Sequence, residues 1–113
     1  MEKGLASSSA TMLVLKLLED KDMYGYQMME ELSRRSDQTF TLKAGTLYPI
    51  LHSLEKSGMV VSYDANADGA RVRKYYRITS QGRKASEEKQ SEWSAYAQAI
   101  RRVLNGGADY AVI

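Results

Sequence analysis

The sequence predicts a mainly α domain with one small β-hairpin, closed by a long C-terminal helix. Three observations predict it. Apolar residues recur at helical spacing in three successive segments before residue 58. Two alternating stretches bracket an Asn-, Asp- and Gly-containing run at residues 64–69. A seam of apolar residues at spacings of three and four then runs through residues 93–104. The 113 residues are the size of one domain with one core.

Residues 5–19 read as the first helix. Met12, Leu13, Leu15, Leu17 and Leu18 crowd it, and Val14 makes it apolar nearly all round, the pattern of a helix buried on two sides. Lys21 and Asp22 break it. A second helix fits residues 25 or 26 to 35, with Met28, Met29 and Leu32 as its stripe and Arg34 and Arg35 at its negative C-terminal end. Residues 39–42 read as a short extended piece. In the third helix, within residues 43–58, Leu47, Ile50, Leu51 and Leu54 share a face and Gly58 is the stop. Pro49 lacks an N–H and would clash with the carbonyl four residues back. That carbonyl belongs to Gly45, near the helix start, so the damage stays within the first turn or so.

Residues 59–63 and 72–79 read as strands, and residues 64–69 as the turn between them, because Asn, Asp and Gly tolerate positive φ. Alternation puts Val72, Lys74, Tyr76 and Ile78 on one face and Arg71, Arg73, Tyr75 and Arg77 on the other. The hairpin therefore has one strongly basic side. Thr79 or Ser80 caps a last helix that ends near Asn105, Gly106 and Gly107. Its seam is Trp93, Tyr96, Ala97, Ile100, Val103 and Leu104, whereas residues 83–92 are almost wholly polar. A polar half followed by an apolar seam describes a helix that leaves the globular body to meet a partner. Packing on the chain's own first helix is the alternative. The division expected is residues 1–79 as the head, 80–105 as a dimerisation helix and 106–113 as a tail.

Three helices followed by a hairpin is the order of a winged helix-turn-helix, in which the third helix enters the DNA major groove and the hairpin lies against the backbone or minor groove. Charge distribution agrees better than charge total. The net charge is only +2, but residues 70–86 hold no acid and carry Arg71, Arg73, Lys74, Arg77, Arg83 and Lys84. Glu19, Asp20, Asp22, Glu30 and Glu31 gather instead in the first third. Such a split presents a positive face to phosphates without making the whole surface adhesive. A solvated charged strand is the plainer reading of the same run.

Other classes fit poorly. Cysteine is absent and His52 is the single histidine, which excludes disulfides, thiolate zinc sites and most catalytic triads. Glu30–Glu31 and Glu87–Glu88 are neighbours on helices and diverge by about 100°, so neither pair shares a site. No paired carboxylates, activated nucleophile or phosphate-cradling Gly loop is visible. No enzyme activity, cofactor or metal is expected. No run of about 18 apolar residues and no signal-peptide pattern is present, so a cytoplasmic location away from membranes is expected. A winged-helix module for protein–protein contact is the rival function, and Arg71, Arg73 and Lys74 argue against it.

Three motifs carry a family resemblance. Tyr24-Gly25-Tyr26 opens the second helix. Gly45-Thr46-Leu47-Tyr48-Pro49-Ile50-Leu51, with Leu54-Glu55 and Gly58, forms the third. Arg73-Lys74-Tyr75-Tyr76-Arg77-Ile78-Thr79, with Gly82, closes the hairpin. In this order and spacing the chain resembles PadR-family transcriptional regulators over roughly residues 12–104. The single C-terminal helix is similar to the small subgroup that includes the lactococcal multidrug-binding repressor. The resemblance implies a homodimeric repressor on a near-palindromic double-stranded operator, with two recognition helices about one DNA turn, roughly 34 Å, apart.

Site residues follow from it. Lys43, Gly45, Thr46, Tyr48, Pro49 and His52 on the third helix, with Arg71, Arg73 and Lys74 on the wing, are the DNA-binding candidates. The family usually has Ser or Asn where Lys43 stands. A cation there is unfavourable to the helix dipole unless a phosphate lies beside it. Lys43 and His52 as plain surface residues, and Tyr48 as a buried hydrogen-bonded one, are the alternatives. Tyr24 and Tyr26 read as packing residues. Trp93 is either an anchor of the dimer seam or the platform on which a small aromatic effector stacks at the dimer interface, with Met12, Tyr96 and Ala97 as its walls.

Overall fold

The apolar positions that set the helical rhythm converge on one core. The computed structural model describes residues 7–66 and 71–106. Within them lie α1 (Ser7–Asp20), β1 (Met23–Tyr24), α2 (Gly25–Arg35), α3 (Ala44–Lys56), β2 (Val60–Asn66), β3 (Val72–Ile78) and α4 (Ser80–Leu104). Val14, Leu15, Leu17 and Leu18 of α1 meet Met28 and Leu32 of α2 and Leu47, Leu51 and Leu54 of α3. Val60, Tyr76 and Ile78 close the core from the sheet. This is the winged helix-turn-helix order, with α4 appended.

The strands form an antiparallel sheet in the order β1-β3-β2. Two of its features depart from the sequence reading. β2 runs on through Asp64, Ala65 and Asn66, which the turn chemistry assigned to the loop. Those residues pair with Lys74, Arg73 and Val72 of β3. The β-branched and aromatic run of β3 offers a full ladder, and tertiary pairing outweighs weak local turn preference. The other expected turn residues, Ala67, Asp68 and Gly69, lie outside the described residues. So do Leu5 and Ala6 of the expected first helix and Gly107 to Ile113 of the tail. β1 was not expected at all; its two residues pair Met23 with Tyr76 and Tyr24 with Tyr75.

The expected extended piece at residues 39–42 is an irregular connection. Ser36 ends α2: its hydroxyl donates to the Leu32 carbonyl (2.8 Å) and accepts from the Phe40 N–H (3.0 Å). Asp37 and Gln38 then take φ of 53° and 63°, a left-handed turn that swings the chain toward α3. Leu42 pins the far end of the connection in the core.

The base of α4 is fixed to the head. Thr79 caps it, accepting from the Gly82 N–H at 3.0 Å. A methyl group added at Gly82 would overlap the Met59 carbonyl oxygen and approach Ile78 Cγ1 to 2.7 Å, so only glycine lets the helix sit this close to the hairpin. One turn on, the fully buried Ser86 donates its hydroxyl to the Glu19 carboxylate of α1. Gln90 Nε2 donates to Glu19 Oε2 (3.2 Å) and to Ser86 Oγ (2.9 Å). The polar turns are thus the docked part of the helix, through hydrogen bonds to α1 together with Ala85 packed against the core. The outer half projects, and the molecule measures 64 × 33 × 21 Å.

Candidate nucleic-acid interface

α3 buries Leu47, Leu51 and Leu54 and turns the opposite face outward. On that face Ala44, Gly45, Thr46, Tyr48, Pro49, His52, Ser53 and Lys56 are exposed, and none is acidic. Glu55, the one carboxylate of α3, is half-buried and accepts the Ser62 hydroxyl at 2.6 Å. The helix runs unbroken through Pro49. Lys43 is the N-cap in extended conformation (φ −89°, ψ 156°) and makes no side-chain cap. Its carbonyl accepts the Thr46 and Leu47 N–H groups at 2.9 and 2.8 Å. A lysine and the positive end of a helix dipole, side by side, favour an anion between them. Nothing lies within 4 Å of where a Gly45 side chain would begin, so the first turn of α3 is open to approach.

Tyr48 is 46% exposed, which removes the buried alternative. Its ring crosses the start of α2. A methyl at Gly25 would overlap the Tyr48 hydroxyl and come within 2.7 Å of Cζ. The Tyr-Gly-Tyr and Gly-Thr-Leu-Tyr-Pro motifs are therefore two halves of one contact, which sets α3 against α2. Tyr26 departs from expectation: it is 54% exposed rather than packed. A hydrogen bond to Glu30 and that residue's negative charge hold its phenol above the ordinary value.

The hairpin shares out its cations unequally. Arg71 is exposed, and so is Lys74, directly opposite Asp64 in the ladder. Arg73 and Arg77 lie folded on the outer face of the sheet among tyrosines. The Arg73 guanidinium sits 4.8 Å from the centre of the Tyr24 ring, and that of Arg77 sits 4.9 Å from Tyr63. Tyr24 meets Tyr75 edge-on (5.3 Å, 78°), and Tyr75 stacks on Tyr63 (5.7 Å, 17°). The Tyr63 hydroxyl donates to Asp22 Oδ2 at 2.5 Å, and Arg77 Nε lies 3.3 Å from the same oxygen. That hydrogen bond is the main cause of a raised Tyr63 phenol pKa, with burial and the carboxylate charge adding to it. The sequence showed the basic side but not this aromatic bed. The available signal was Tyr75 alternating with Arg73 and Arg77.

The effector candidates divide. Trp93 and Tyr96 stand on the projecting half of α4, 52% and 66% exposed, and Ala97 on the same helix is half-buried. Met12 is half-buried on α1. A shallow depression of about 270 Å³ on α4 is lined by Tyr96, Ala99, Ile100, Val103 and Leu104. Trp93, Ala97 and Met12 are not in its wall. Among the described residues no carboxylate–histidine group could hold a metal, and no helix is long and apolar enough to cross a membrane.

Comparison with known proteins places this geometry among relatives. Residues 14–88 match the transcriptional regulator PadR-like family. The chain is 38% identical over 93 residues to the transcriptional regulator Rv3488 of Mycobacterium tuberculosis, covering 82% of this chain and 80% of that protein. It is similar to the structure of smu.1704 from Streptococcus mutans UA159 (TM-score 0.80, 33% identity, covering 94% and 95% of the two chains). It is also similar to a PadR family transcription regulator from Clostridium difficile R20291 (TM-score 0.72, 32% identity, covering 83% and 96%).

Proposed function

The chain belongs to the PadR-like family of transcriptional regulators, and on that premise we propose that it is a homodimeric, sequence-specific DNA-binding repressor of the cytoplasm. The observation that carries the proposal is the outward face of α3, exposed and free of acid, in a chain whose hairpin also exposes Arg71 and Lys74. Tyr48, Pro49 and His52 read base edges in the major groove. Gly45 lets the backbone approach, and Lys43 and Thr46 hold a phosphate at the first turn of α3. Arg71, Arg73 and Lys74 fasten the wing to the DNA backbone. Residues 1–79 act as the head, and residues 80–105 join two copies through the bare seam of α4. A small aromatic effector stacked on Trp93, beside Tyr96, Ala97 and Met12, releases the operator by changing how the two heads are held.

A gel-shift titration with DNA from upstream of its own gene, over a salt series, tests the reading. Affinity falls steeply as salt rises, because each neutralised phosphate contributes about −0.9 to the slope of log affinity on log salt. No shift at low salt, or one indifferent to salt, overturns the DNA-binding role. Trp93→Ala with flat aromatic dyes tests the effector role separately: unchanged dye affinity overturns it.

A further inference from the structure

The outer face of the sheet holds two arginines in like settings, but among the described residues only one has an ion-pair partner. Arg77 lies over Tyr63 and pairs with the Asp22 carboxylate. Arg73 lies over Tyr24 and makes no ion pair among the described residues; its Nε is buried and without a hydrogen-bond partner. A buried donor without an acceptor is rare in folded proteins and calls for an explanation. Here the guanidinium is oriented by a ring, and no carboxylate among the described residues pairs with it.

The ring itself is firmly placed. The Tyr24 N–H donates to Gln27 Oε1 at 3.1 Å, and the residue pairs with Tyr75 across the β1–β3 ladder. Tyr75 meets its ring edge-on and stacks in turn on Tyr63, which is tied to Asp22. A continuous set of contacts therefore runs from Asp22 to Arg73. Tyr24 also precedes Gly25, the residue on which Tyr48 of α3 rests. The cation is carried at the join between the wing strand and the helix-turn-helix.

We propose that Tyr24 is a positioning residue for DNA binding: its ring, braced by Tyr75, holds the Arg73 guanidinium as a ready-placed phosphate contact, while Arg77 serves only the brace. This rests on the DNA-binding reading above. A flexible arginine loses side-chain freedom when it grips a phosphate, and one already stacked loses less.

A double-mutant cycle on the full chain tests it, read as affinity for a mixed-sequence DNA duplex over a salt series. Arg73→Gln, which takes one contact from each of the two heads, reduces the salt slope by about 1.8 for the dimer, whereas Arg77→Gln leaves the slope unchanged. Tyr24→Leu weakens binding about two- to fivefold per head, the equivalent of an exposed cation–ring attraction. It has no further effect in the Arg73→Gln background, and Tyr24→Phe, which keeps the ring, binds as the unaltered chain does. An equal loss from Tyr24→Leu in both backgrounds makes Tyr24 merely structural and overturns the proposal, as does an unchanged slope for Arg73→Gln. If Tyr24→Leu does not fold, Arg73→Lys carries the test, because it keeps the charge and loses the planar stack. The slope is then retained while affinity falls, and unchanged affinity overturns the positioning role. Failure of the unaltered chain to bind the duplex at low salt has a different meaning: it removes the DNA-binding reading itself.

Discussion

The two halves of α4 are built from opposite chemistry and meet opposite surroundings. The base is polar yet docked: Gly82 touches the hairpin, and Ser86 and Gln90 bind Glu19 of α1. The outer half is apolar yet bare, with Val103 and Leu104 more than three-quarters exposed and Trp93 and Tyr96 more than half. Hydropathy alone would assign burial the other way round. The difference teaches that hydrogen-bonded polar contacts help set where the helix points, while the seam beyond is apolar surface that no other described element covers. Exposed apolar patches of this kind mark sites of association.

The largest break in the comparison comes from charging the seam. Ile100→Glu should leave the head folded and weaken self-association about a hundredfold or more, the loss typical of a central interface residue. Sedimentation velocity would read it, and an unchanged dimer would show that the seam is not the interface. Next in size is Gly82→Ala. The added methyl meets backbone, which cannot yield like a flexible side chain. A loss on the order of 3 kcal/mol in chemical denaturation is expected. Ser86→Ala is milder. It takes one donor from a partly buried carboxylate, for about 1–2 kcal/mol, and leaves the affinity between copies as it was. If Ser86→Ala instead loosened the dimer and spared stability, the two halves would not be separable.

The smallest effect is a control that touches neither half. Arg34 and Arg35 donate to Glu31 and hold its carboxyl down at about 2, against an ordinary value of 4.5. A depressed value means stability that is present above pH 4.5 and lost as the pH falls through about 2. The pairs lie at the surface, with Arg34 largely exposed, so the increment is small. Glu31→Gln should remove that part of the acid dependence in thermal melts without altering self-association.

Much of the fold was legible because its signals are periodic. Leu47, Ile50, Leu51 and Leu54 marked α3 despite Pro49, and the seam of α4 was visible by spacing alone. What escaped was set by distant partners. Met23-Tyr24 is too short to show a period, and Asp64 to Asn66 read as turn until β3 paired with them. At the candidate interface, residue types showed which cations and which helix face to consider. They could not show that Arg73 and Arg77 bed on Tyr24 and Tyr63, since those contacts join residues about fifty and fourteen positions apart. Nor could composition reveal that Ser86 and Glu19, polar residues on separate helices, make the joint.

Hydroxyl-radical footprinting on the operator tests most directly that two copies present α3 together through the seam of α4. Two protected patches on one face of the duplex, about one helical turn or roughly 34 Å apart, are the expected result, both lost together in Ile100→Glu. A single patch, or two that persist when the seam is charged, would contradict it.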